Sequence, residues 1–82
     1  MKILVNVYVP AISRSFDVLI PDFLKIKTIT SMIAHTVEDL SDNLYVSSGE
    51  EHLFLREKEI LFRGNTVLSK YGVQNGDHLV LM

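Results

Sequence analysis

The chain has no cysteine, so it can build neither a disulfide framework nor a thiolate site. A reducing compartment is compatible with that composition. It has no basic surplus either. Eight Lys and Arg stand against ten Asp and Glu, for a net charge of -2, and the basic residues are scattered. A nucleic-acid groove needs a concentrated basic stripe, and an RNA-binding sheet interleaves it with aromatic residues, so no nucleic-acid partner is expected. No glycine-rich loop precedes a helical pattern, which excludes a phosphate cradle. Long apolar runs are absent too. The N-terminal run is interrupted by Asn6, ends at Pro10 and has no small-residue cleavage site. It is too short to span a bilayer, so it reads as a strand, with no signal peptide and no direct membrane insertion expected.

Reactive constellations are equally scarce. His35, His52 and His78 fall on a helix, a loop and a final strand, without an H-x-x-x-H or H-E-x-x-H spacing; converging metal ligands are not expected. Ser13, Ser15, Ser31 and Ser41 have no adjacent base, so a nucleophile is not expected. Glu50-Glu51 and Glu57-Lys58-Glu59 read as solvated loop charges. The sequence thus predicts no enzyme, no cofactor and no metal.

What is present is a pattern of short strands around one helix. The 82 residues suffice for a single domain, 1–82, because a second core would have too little chain. Ile3, Val5, Val7 and Val9 fall on one face of a first strand, with Lys2, Leu4, Asn6 and Tyr8 on the other. Ala11–Ser15 reads as a polar connection. Phe16, Val18 and Ile20 then point inward from a second strand, so the pair forms an antiparallel hairpin closed by Pro21-Asp22. Ile26, Ile29, Ile33, Val37 and Leu40, with Met32 beside them, recur at helical spacing. No strong cap precedes this helix, and its last turn is acidic. Ser41–Glu51 reads as a loop with Leu44 and Tyr45 tucked back onto the domain. Leu53-Phe54-Leu55 and Ile60-Leu61-Phe62 are short strands around the charged turn Arg56–Glu59. Leu68 enters the core from a single helical turn, and the Tyr71 hydroxyl seeks a backbone partner. Asn75-Gly76-Asp77 is a tight reversal into the final strand His78–Leu81. The first and last strands are the most apolar, so they are expected centrally, side by side and parallel through a right-handed crossover. The outcome is a two-layer α+β domain, a mixed sheet of four to five strands with one packed helix.

This order, with Gly64, Leu68-Ser69-x-Tyr71-x-Val73-Gln74 and His78-Leu79-Val80-Leu81, resembles ubiquitin and its β-grasp fold. A closer resemblance is to the YukD/EsaB family of small bacterial ubiquitin-like proteins. It is carried by Phe16-Asp17-Val18-x-Ile20-Pro21, by Ile26-Lys27 at the helix start, and by Leu68-Ser69-x-x-Gly72-Val73-x-Asn75-Gly76-Asp77-x-Leu79. The resemblance implies a cytoplasmic, non-enzymatic accessory or regulatory component of a bacterial type VII (WXG100/ESX-like) secretion system. It also implies protein partners among membrane or ATPase components, with recruitment to the inner face of the membrane.

Conjugation and sulfur transfer by ubiquitin relatives require a flexible Gly-Gly tail. The chain stops at Leu81-Met82, so with Met82 as the true end neither modifier nor carrier chemistry is expected. An intact mass from native cells separates that reading from an interaction module. A regulatory β-grasp adaptor is the further alternative. What remains is surface. Leu4, Phe54, His78 and Val80 are expected on the sheet face turned from the helix. Phe54, His78 and Val80 match the positions with which ubiquitin docks partners, and an aromatic anchor such as Phe54 suits a hot spot. Tyr8 with Leu19 is a second candidate. An exposed edge strand offers a further copy a place to pair, giving a weak homodimer.

Overall fold

A computed structural model describes Met1–Met82. Its elements are β1 (Lys2–Val9), β2 (Arg14–Pro21), α1 (Ile26–Leu40), β3 (Leu53–Leu55), β4 (Ile60–Leu61) and β5 (His78–Leu81). They build one five-stranded sheet in the order β2-β1-β5-β3-β4. β1 and β5 lie side by side and parallel, and every other pairing is antiparallel. The most apolar strands therefore take the centre, as the sequence predicts.

One face of this sheet and one stripe of α1 enclose the core. Ile3, Val5, Val7 and Val9 meet Leu79 and Leu81, then Leu53 and Leu55, beneath Ile26, Ile29, Ile33 and Val37. Phe62 and Leu68 close the open end. Four features differ from expectation. β2 starts at Arg14, not Phe16, because a 3-10 turn over Pro10–Ile12 shortens the connection and Ser13 takes a left-handed backbone at φ 52°. The helical stripe contains Thr30 and Ala34, while Leu40 and Met32 are exposed. Leu40 matches the period, but it ends the helix beside an exposed turn. Leu44 does not tuck back and is exposed; Tyr45 does, packing on the core. Phe62 is buried although β4 ends at Leu61.

The weak helix start has a tertiary solution. No side chain caps it. The Ile26 and Lys27 amides instead donate to the Thr66 and Gly64 carbonyls, at 2.8 and 2.9 Å, satisfying two of the orphan donors that every helix exposes at its start. Tyr71 behaves as expected: its hydroxyl accepts the Arg63 amide at 3.0 Å and its ring lies 4.5 Å from that of Phe62. The Asn75-Gly76 reversal is tied to β1. Asn75 Oδ1 accepts the Leu4 amide at 2.7 Å, and the Gly76 amide, from a backbone at φ 87°, donates to the Leu4 carbonyl.

Candidate functional site

Directly opposed residues in a sheet share a face, so the register sorts the outer face into rows. Tyr8 stands opposite Val80, Val80 opposite Phe54, and Phe54 opposite Leu61. These residues form one apolar row across β1, β5, β3 and β4, roughly 14 Å long at the usual strand spacing. Tyr8 and Leu61 are exposed at its ends, with Phe54 and Val80 half-buried between them.

The next row is polar. Asp17 stands opposite Asn6, and Asn6 opposite His78. Asn6 Nδ2 donates to Asp17 Oδ1 at 3.1 Å. The other end is clasped by Glu57, whose Oε1 accepts the His78 amide at 2.9 Å while its Oε2 lies 2.5 Å from His78 Nδ1. The bond from the His78 amide, then that from its ring, holds the Glu57 carboxyl below its ordinary range. The clasp ties the start of β5 to the β3–β4 turn, beside the Arg56 amide bond to the His78 carbonyl.

Leu4 lies beyond this polar row, opposite Leu19. It is two strand steps from Tyr8, about 13 Å along β1. The structure thus brings Phe54 and Val80 together, sets His78 beside them as a polar border, and leaves Leu4 apart. It also divides Tyr8 from Leu19: Tyr8 joins the Phe54 row and Leu19 joins Leu4. Sequence reading missed Leu61 and Glu57 as members of this surface. Leu61 was legible by parity with buried Phe62; Glu57 was not, because its partner is distant in sequence.

On the opposite side, a cavity of about 440 Å³ opens between α1, the loop after it and the Leu53–Gly64 hairpin. Lys27, Ser31, His35, Glu51 and His52 supply its polar lining. Glu51 is occupied structurally. Its Oε2 accepts the Tyr45 hydroxyl at 2.6 Å and the Ser48 amide at 2.7 Å, and its Oε1 accepts the Gly49 amide at 3.1 Å. Partial burial pushes its carboxyl up, but the Tyr45 bond and the two amides outweigh this and hold it below the ordinary range. Tyr45 is pushed up by burial and by Glu51. No three His, Cys, Asp or Glu side chains converge as metal ligands, and no helix is long and apolar enough to cross a membrane.

The profile of a protein family described as the WXG100 protein secretion system (Wss), protein YukD, matches residues 4–81. No curated protein sequence matches significantly. Among solved structures, the chain is similar to the ubiquitin-like domain of an Arabidopsis thaliana protein, with 22% identity over 99% of this chain and 76% of that one and a TM-score of 0.74. It is similar to the ubiquitin-like domain of Plasmodium falciparum Dsk2, with 21% identity over 100% of both chains and a TM-score of 0.72. It is also similar to the EccD5 ubiquitin-like domain of Mycobacterium xenopi, with 16% identity over 100% of this chain and 93% of that one and a TM-score of 0.72. At these identities the likeness is one of fold, and the fold is the ubiquitin-like β-grasp.

Proposed function

The chain belongs to the YukD family of the WXG100 protein secretion system, and from that premise we propose that it is an accessory, non-enzymatic subunit of a type VII secretion apparatus that acts by binding another protein of that apparatus. The partner is a membrane or ATPase component, met on the cytoplasmic side. The docking surface is the sheet face centred on Phe54 and Val80, extended by Tyr8 and Leu61 and bordered by His78.

The observation that carries this reading is the continuous apolar row Tyr8–Val80–Phe54–Leu61 on a small sheet face. An aromatic centre with a polar rim is the anatomy of a protein contact. No step of chemistry is assigned to the protein. Its contribution is the geometry of the sheet, with Phe54 held between Val80 and Leu61 and with His78 fixed by Glu57.

Site-specific photo-crosslinking in the native host tests the proposal. A photoreactive phenylalanine analogue at Leu61 or Tyr8 is expected to capture a component of the secretion apparatus, identified by mass spectrometry, and the same analogue at exposed His35, on the cavity flank of α1, is not. Phe54→Ala is expected to lower both the adduct yield and the export of WXG100 substrates. Normal export in the Phe54→Ala strain, with adducts only from His35, would refute the assignment.

A further inference from the structure

β2 forms one edge of the sheet, and its backbone groups point alternately toward β1 and away from it. The Asp22 amide donates to the Met1 carbonyl, so Met1 and Asp22 are a hydrogen-bonded pair. The alternation of an antiparallel ladder carries that phase to Ile3–Ile20, Val5–Val18 and Val7–Phe16. The far side of β1 gives the same phase independently. The Asn6 amide donates to Asp77 and the Leu4 carbonyl accepts from Gly76, so Leu4 and Asn6 turn toward β5. Ser15, Asp17 and Leu19 therefore direct their amides and carbonyls outward from the sheet. Pro21, which has no amide hydrogen, falls at an outward position, where an edge strand tolerates it.

Two further features stand beside this edge. Met32, Thr36 and Leu40 recur every four residues and form one row along α1. The opposite flank, with Lys27, Ser31 and His35, borders the cavity at the β3–β4 end, so the Met32 row lies toward β2, against which α1 packs. Met32 and Leu40 are 41% and 54% exposed, though their neighbours Ile33 and Val37 are fully buried. Asp17 stands at the centre of the outward run. Its carboxylate accepts Asn6 Nδ2 and is in no ion pair.

We propose that the β2 edge receives an extended segment of a partner protein as an added strand, with a Lys or Arg opposite Asp17 and apolar side chains at alternate positions over Met32 and Leu40. Backbone bonds to Ser15, Asp17 and Leu19 supply affinity, and the alternate side chains supply selection. Charge complementarity identifies the occupant. A second copy of this chain is disfavoured, because the two-fold register that uses all three outward residues sets Asp17 against Asp17, and directly opposed like charges are destabilising. This site is separate from the Phe54 row and independent of its assignment.

The test titrates the 15N-labelled chain with a short synthetic peptide alternating valine and lysine. The Ser15, Asp17 and Leu19 amide signals are expected to shift and their hydrogen exchange to slow, with the Phe54 and Leu61 amide signals unperturbed. Leu19→Pro deletes an outward donor without touching the β1 ladder, and binding should be lost. Should that variant fold poorly, the same peptide N-methylated at alternate residues replaces it, and it should not bind wild type. Asp17→Lys should weaken the lysine peptide by about fivefold to tenfold and reverse the preference toward a valine–glutamate peptide. Shifts confined to the Phe54 row, or undiminished binding by the N-methylated peptide, would overturn the proposal. So would slowed exchange of the same amides without peptide alongside a dimer in sedimentation, since the occupant would then be a second copy.

Discussion

Phe54 and Val80 stand directly opposite each other across the β3–β5 ladder, both half-buried on the sheet face turned from the helix. Each is flanked by a further apolar side chain, Leu61 beyond Phe54 and Tyr8 beyond Val80. Truncating Phe54 opens no interior cavity, because its ring lies on the outer side of the sheet. Phe54→Ala should therefore cost only about 1–2 kcal/mol of folding stability. Against a partner docked on this row it should cost about 2 kcal/mol or more, over tenfold in affinity, as a central aromatic anchor does. Leu4→Ala, across the polar Asn6–His78 row, should leave affinity unchanged. Urea unfolding paired with calorimetric titration of the captured partner gives both numbers. Equal loss of affinity in both variants would mean the contact is not centred on Phe54.

Burial along α1 makes a sharper distinction than its period does. Ile33 on α1 and Leu68 on the turn before β5 are both wholly enclosed in the core. Their replacement by alanine should each cost about 2–5 kcal/mol, including the cavity left behind. Leu40 shares the helical period but is exposed, and Leu40→Ala should change stability by no more than about 0.5 kcal/mol. Urea midpoints at constant m-value check the contrast.

That contrast shows what a single sequence makes legible. Alternation in Lys2–Val9 identified the inward face of β1 residue by residue, because the strand period is two and the core is on one side. The central parallel pair followed from which strands are most apolar. Register did not follow. Nothing local to Tyr8 says that it stands opposite Val80, since that pairing is decided by the Asn75–Gly76 reversal and its bonds to Leu4; its separation from Leu19 comes from the Pro10–Ser13 connection, which sets it opposite Ser15. The helix start was ambiguous for a similar reason. Its cap is two backbone carbonyls from Gly64 and Thr66, and a carbonyl has no sequence signature. The face of the candidate site was therefore readable, and its rows were not.

Tyr71 ties the Phe62–Arg63 stretch to the Leu68–Tyr71 turn, and its carbonyl accepts Lys58 Nζ from the β3–β4 turn at 2.7 Å. Its hydroxyl accepts the Arg63 amide and its ring leans on Phe62. Tyr71→Phe keeps the ring and removes the acceptor, so it should cost about 0.5–1.5 kcal/mol. The Arg63 amide should also exchange faster with solvent while the Phe62 signals hold their positions. Native-state hydrogen exchange separates this local effect from a general loss of stability, in which core amides would accelerate equally.

Glu51 latches the loop that follows α1, and the latch titrates. In the folded chain its carboxylate accepts the Tyr45 hydroxyl and the Ser48 and Gly49 amides, which together lower its pKa from the ordinary 4.5 despite partial burial. A group whose folded pKa is depressed stabilises the fold above its unfolded pKa and loses that contribution as pH falls through the folded value. The latch should thus be intact at neutral pH and should open on acidification below 4.5, the ordinary value. The Ser48 and Gly49 amide signals should move with one midpoint below that value, and their hydrogen exchange should accelerate as the bonds are lost. Glu51→Gln keeps the size of the side chain but removes the charge, so the shared midpoint should vanish and the two amides should be less protected at neutral pH. A midpoint at or above 4.5 would mean that burial outweighs the bonds from Tyr45 and the two amides, and that the charged form is not held.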